Sequence, residues 1–84
     1  MYYLYIARSS IDNGSYIGTT ENVQKRIGEH NQGKTKSLRH RIPIILVHHE
    51  KYSDKTEARK RELQLKKNYQ IRKELLSKLG FSVK

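Results

Sequence analysis

Residues 2–7 are aromatic or aliphatic at every position and contain no breaker, the pattern of a strand covered on both faces. Asp12-Asn13-Gly14 follows as a turn signal, since Asn and Gly tolerate positive φ. Residues 15–18 then return as a short second strand, so that an antiparallel hairpin closes across a Ser9–Gly14 loop. Thr19 or Thr20 offers an N-cap for a helix running to about Gln32, with Glu21 in its first turn and Gly33 suited to the position just past its end. Val23 and Ile27 mark the inward face of that helix. At about 100° per residue, His30 falls within the same face and Arg26 on its edge. Lys34–Arg41 reads as a loop. Ile42–His49 is a nearly continuous apolar run, expected to be a third strand buried on both faces, with Pro43 at its start or on an edge. Ser53 or Asp54 caps a helix to about Lys67, and Asp54 with Glu57 has capping-box spacing. Its apolar stripe is Ala58, Leu65 and Tyr69, with Leu63 to one side. Residues 70–79 form a further short helix with Ile71, Leu75 and Leu79 inward, and the last few residues are expected to fray. The order β-β-α-β-α-α predicts a single α+β domain spanning residues 1–84, a small three-stranded antiparallel sheet flanked by helices.

Charge sharpens this picture. The 84 residues carry 18 Lys and Arg against 8 Asp and Glu, a formal net charge of +10. The basic residues are spread along the chain, which points to a polyanionic partner, because neutralised phosphates release counterions. A membrane surface is the weaker reading: no segment pairs a strong apolar face with aromatic anchors, and the run Ile42–Val47 is far too short to cross a bilayer. There is no cysteine, hence no disulfide-linked partner and no thiolate metal site, which fits a cytoplasmic protein. A chain of this length buries only about 60% of its unfolded surface, so any active site must lie on the sheet or between sheet and helices.

Within this frame a few residues stand out chemically. Glu62 lies on the wheel among Ala58, Leu65 and Tyr69 rather than with Arg59, Lys60 and Lys66. An inward carboxylate is costly unless it is paired or binds a cation. It is therefore either half of a partly buried ion pair or a ligand for Mg²⁺, which commonly takes one or two protein carboxylates and completes its shell with water and phosphate oxygens. Arg26 and His30, at i,i+4 spacing, share one helix face. Two groups that can both be cationic make better sense there if both address an anion. Tyr5 and Tyr16 approach one another across the hairpin, and a phenol near an activated water could serve as its base if its ordinary pKa of about 10 were lowered. Lys34, Lys36, Arg39 and Arg41 make the 34–41 loop a candidate phosphate-tracking patch. His48 and His49 adjoin in a strand and point to opposite faces, so they are not a metal pair.

Taken together these residues resemble the GIY-YIG nuclease superfamily, and most closely its small stand-alone bacterial members. The second half of the signature is intact as Tyr16-Ile17-Gly18. The first half reads Tyr3-Leu4-Tyr5, with Tyr3 in place of the leading glycine. Arg26, His30 and Glu62 fall where the family has its arginine, a frequent histidine and its metal-binding glutamate, and Gly33-Lys34 after Glu29-His30-Asn31 is also similar to the small members. The resemblance implies a divalent-metal-dependent endonuclease with one Mg²⁺ or Mn²⁺ ion on Glu62. It also implies that Arg26 stabilises the transition state and that Tyr5 or Tyr16 activates the water, with His30 assisting. The expected partner is DNA, cleaved with structural selectivity or weak specificity. The alternative is a non-catalytic basic module that binds nucleic acid on the same scaffold. An adaptor that docks through the 70–79 helix has the least support.

Overall fold

The computed structural model describes residues 1–12 and 14–80, and of residues 37 and 38 the backbone alone. Strands β1 (Tyr2–Ser9) and β2 (Ser15–Thr20) form the hairpin, followed by helix α1 (Val23–Asn31), a 3₁₀ helix over Lys36–Arg41, strand β3 (Ile44–Tyr52), and helices α2 (Lys55–Lys67) and α3 (Tyr69–Lys78). The sheet is antiparallel with order β2-β1-β3.

This order explains why β1 is the most uniformly apolar segment. As the central strand it is covered twice, and its alternating residues feed two cores. Leu4 and Ile6 join Ile17, Leu65 and Leu76 beneath α2 and α3. Tyr5 and Ala7 join Val23 and Ile44 on the opposite face, beneath α1. The third strand does not share this double burial. It starts at Ile44, runs on to Tyr52, and lies at the sheet edge with Ile45 55% exposed. Its apolar run reflects one covered face and a register shift between Ile6 and Ala7, opposite which Val47 is the extra residue.

Other differences from the sequence pattern are local. The second strand continues to Thr20, and helix α1 is capped by Asn22, whose side chain accepts from Lys25 N at 3.0 Å, rather than by a threonine. At the other end of α1, Lys34 N donates to Glu29 O and Gly33 N to His30 O, with Gly33 at φ 79°, a Schellman ending that only a residue without Cβ adopts cheaply. The Lys34–Arg41 segment contains a 3₁₀ helix instead of being wholly irregular. Asp54 caps α2 as its spacing suggests. Tyr69 is 50% exposed, because the chain breaks at Asn68, which ends α2 and caps α3, and so takes Tyr69 off the α2 stripe. In α3, Ile71, Leu75 and Leu79 are only partly buried, and the most buried residue is Leu76. The expected fraying of the last residues and the Asn13 position of the hairpin turn lie outside the described residues. Among the described residues no helix is long and apolar enough to cross a membrane.

Candidate active site

The register of the hairpin assembles the first half of the site. Tyr5 pairs with Gly18 and Ala7 with Tyr16, so the two tyrosines stand on the α1 face of adjacent strands with ring centroids 6.1 Å apart. Gly18 makes room for this: a Cβ there would come within 2.7 Å of Tyr5 Oη and 2.8 Å of its Cζ. The glycine of Tyr16-Ile17-Gly18 is thus required by the close approach of the Tyr5 ring, and its φ is not the reason.

Helix α1 lays His30 over both rings. Its imidazole is fully buried, 6.0 Å from the Tyr5 ring and 5.3 Å from the Tyr16 ring. Nε2 lies 2.9 Å from Tyr5 Oη and Nδ1 2.7 Å from Thr35 Oγ1. Burial, then the nearby Arg26 charge, pushes the His30 pKa below its ordinary value, so the ring is neutral near pH 7. A neutral imidazole carries one N–H. The Arg26 charge favours the ionised form of Tyr5, and the hydroxyls of Tyr5 and Thr35, each able to donate or accept, hold the ring at both nitrogens.

Burial raises Tyr5, with Tyr16 adding to the effect and Arg26 opposing it, to a pKa of about 12. This is opposite to what a phenol acting as base requires. At neutral pH Tyr5 keeps its proton and is held against His30. Arg26 loses some solvation, but the Tyr5 hydroxyl and Glu29 more than offset this and hold it charged. One of its nitrogens pairs with Glu29 Oε1 at 3.3 Å. The i,i+4 pair is therefore one cation and one neutral ring, and of the two only Arg26 carries charge.

Glu62 reaches the site from the other side of the sheet. It projects from α2, with its side chain only 14% exposed, toward Thr19, which alternates onto the α2 face of β2. Thr19 Oγ1 donates to Glu62 Oε1 at 3.5 Å, and Lys66 Nζ pairs with Oε2 at 2.7 Å. Tyr5, Tyr16, Arg26 and His30 are thus brought together on one face, while Glu62 lies across the β2 rim from them. A cleft of about 400 Å³ wraps this rim and is lined by Thr19 and Thr20 together with Lys25, Arg26 and Glu29. Glu62 is one threonine hydroxyl away from it. The carboxylate suits a hard cation, since the weak 3.5 Å contact leaves Oε1 available. Among the described residues no group of three or more His, Cys, Asp or Glu could hold a metal, so other positions on such an ion would fall to water and substrate oxygens.

The 34–41 segment divides in two. Arg39 Nε donates to Gly33 O at 2.6 Å, and Arg41 pairs with Asp12 at 3.2 Å, so these arginines tie the segment to the α1 terminus and the hairpin loop. Lys34 and Lys36 are exposed. A further cluster lies outside the residues that the sequence singles out: Glu50 accepts from Arg61 at 3.0 and 3.3 Å, from Tyr52 at 2.6 Å, and faces His48 Nε2 at 3.0 Å. Only the strand alternation of His48, Glu50 and Tyr52 could have pointed to it. Through Arg61 it fixes α2 to β3 one residue before Glu62.

The chain matches the family model described as the GIY-YIG catalytic domain over residues 1–74. A UPF0213 protein of Staphylococcus haemolyticus is 44% identical over 66 residues, covering 77% of this chain and 79% of that protein. A UPF0213 protein of Halobacterium salinarum is 39% identical over 77 residues, covering 90% and 99%. Among solved structures, the solution NMR structure of a UPF0213 protein from Bacillus halodurans is similar with a TM-score of 0.57 and 36% identity, over 94% of this chain and 85% of that one.

Proposed function

Because this chain belongs to the GIY-YIG catalytic-domain family, we propose that it is a divalent-metal-dependent endonuclease that hydrolyses phosphodiester bonds in DNA. The observation that carries the reading is the convergence of Tyr5, Tyr16, Arg26 and His30 on one face of β1 and β2, beside the rim that Glu62 reaches from the opposite face.

In this reading Arg26 binds a non-bridging oxygen of the scissile phosphate and stabilises the charge that builds on phosphorus. Tyr16 orients the attacking water at its phenol oxygen. Tyr5 keeps its proton and positions Arg26 and Tyr16. His30 is also a positioning residue, since both desolvation and Arg26 disfavour its charged form. Glu62 holds the Mg²⁺ or Mn²⁺ ion, which when bound supplies charge neutralisation and water activation. The net charge of +10, with the exposed Lys34 and Lys36, draws the backbone toward this face.

One observation favours the alternative of a non-catalytic binder: Lys66 already neutralises Glu62 at 2.7 Å. The two readings separate in a cleavage panel of duplex, nicked, flapped, branched and single-stranded DNA with Mg²⁺ or Mn²⁺. The endonuclease reading expects metal-dependent cleavage that falls at least about 100-fold in Arg26→Ala and Glu62→Ala. Tight, salt-sensitive binding with no cleavage of any substrate establishes the binder instead.

A further inference from the structure

Beside the Arg26 cleft lies a second one, of about 300 Å³, between the start of α1 and strands β1 and β3. We propose that it receives an unpaired nucleobase of the substrate strand, next to the phosphate held at Lys25 and Arg26. The inference rests on the nuclease reading and names the substrate class of that site.

The cleft has the chemistry of a base slot. Its walls are the Tyr3 ring, the His49 ring and Leu46. Tyr3 and His49 meet edge to face, with centroids 5.9 Å apart and planes at 65°, which leaves ring surface free for a third aromatic system. Tyr3 is half-buried and fixed by its strand, while His49 is exposed, so the slot has one anchored wall and one open side. Its volume is at the lower end of the range for small-ligand sites. Glu21 and Gln24 stand at the rim, where a carboxylate can accept from an exocyclic amino group and an amide can pair with a base edge. The Asn22 amide is already committed to capping α1.

Position supplies the second argument. The two clefts share Glu21 and Asn22 and therefore run together around the start of α1. One offers cationic groups for a phosphate and the other aromatic rings for a base, and that pairing is the repeat unit of a nucleic-acid strand. A base inside a duplex has both faces stacked and its edge paired, so only an unpaired base can enter. The slot thus selects strands that are single or locally opened.

The test is binding of the full-length protein to fluorescent DNA in EDTA, where no cleavage intervenes. The probes are a blunt duplex, the same duplex with a short single-stranded arm, and that junction with abasic sites throughout the arm, which keep the charge and remove the rings. The expected result is tighter binding of the junction than of either other probe. His49→Ala, at an exposed position outside both cores, is expected to reduce junction affinity about tenfold and to leave duplex affinity unchanged. Tyr3→Leu, which keeps apolar bulk, should do the same, and neither variant should add to the abasic loss. Equal affinity for all three probes, or equal losses on duplex and junction, would overturn the base slot and leave the nuclease reading standing. Absence of binding to every probe would sink both.

Discussion

Tyr5 Oη lies 2.9 Å from Nε2 of His30, 25 residues away in sequence, and both groups are buried. This bond joins the central strand to the first helix and holds the His30 ring in place beside Tyr16. Removing the hydroxyl leaves a buried ring nitrogen without its hydrogen-bond partner. Tyr5→Phe is therefore expected to lower stability by about 1–3 kcal/mol, read as a reduced urea midpoint at unchanged m-value. If Tyr5 only positions the site, the pH profile of residual cleavage in that variant keeps its shape.

Gly18 should tolerate no side chain. Since a Cβ would meet Tyr5 Oη at 2.7 Å, Cζ at 2.8 Å and Cε1 at 3.0 Å, and the ring is packed in the core, Gly18→Ala must displace Tyr5 or part β1 from β2. A loss of about 1–3 kcal/mol by thermal unfolding is expected. Gly28, with nothing within 4 Å of its would-be Cβ, is the control: Gly28→Ala lies within helix α1 and should stabilise by about 0.5–1 kcal/mol.

Stability should fall on acidification through Glu50. Burial alone would raise this carboxyl, but hydrogen bonds from Arg61, Tyr52 and His48 outweigh it and hold the pKa at about 2, against an ordinary value of 4.5. The folded pKa is depressed, so the contribution is fully present above about pH 4.5 and is lost as pH falls toward 2. In Glu50→Gln that part of the acid sensitivity disappears, and at neutral pH the variant should be about 2 kcal/mol less stable, as Arg61 loses a partly buried partner. Chemical denaturation of both proteins across pH 2–7 measures the difference.

Lys66 holds one oxygen of Glu62. If Glu62 holds the metal, Lys66→Gln should lower the Mg²⁺ concentration needed for half-maximal cleavage, because one carboxylate oxygen is released from its 2.7 Å ion pair. An unchanged or raised requirement would argue that the ion sits elsewhere.

Most of this architecture can be read from the chain, because its signals are local. The caps at Asp54 and Gly33, the strand character of residues 2–7 and the inward placement of His30 and Glu62 each follow from a few neighbouring residues. What the pattern did not reveal depends on sheet order. An apolar run cannot say whether its strand is central or at an edge, so the pattern alone makes β3 as buried as β1. Nor can a helical wheel say which sheet face a helix covers. It therefore could not show that Glu62 and Arg26 come from opposite faces, with the β2 rim between them. The Glu50 cluster is not legible in the chain because its partner, Arg61, is contributed by a different element, and a sequence with so many arginines gives no reason to prefer one.

The two-faced central strand ties the fate of the site to that of the fold. Along β1, successive residues belong in turn to the hydrophobic interior under α2 and α3 and to the hydrogen-bonded chain under α1. A slip of one position would turn Leu4 and Ile6 toward Arg26 and drive the Tyr5 phenol into the aliphatic layer. Such a slip would spoil the interior and the Tyr5–His30 pair together. The register that packs the interior is therefore the one that sets Tyr5 against His30.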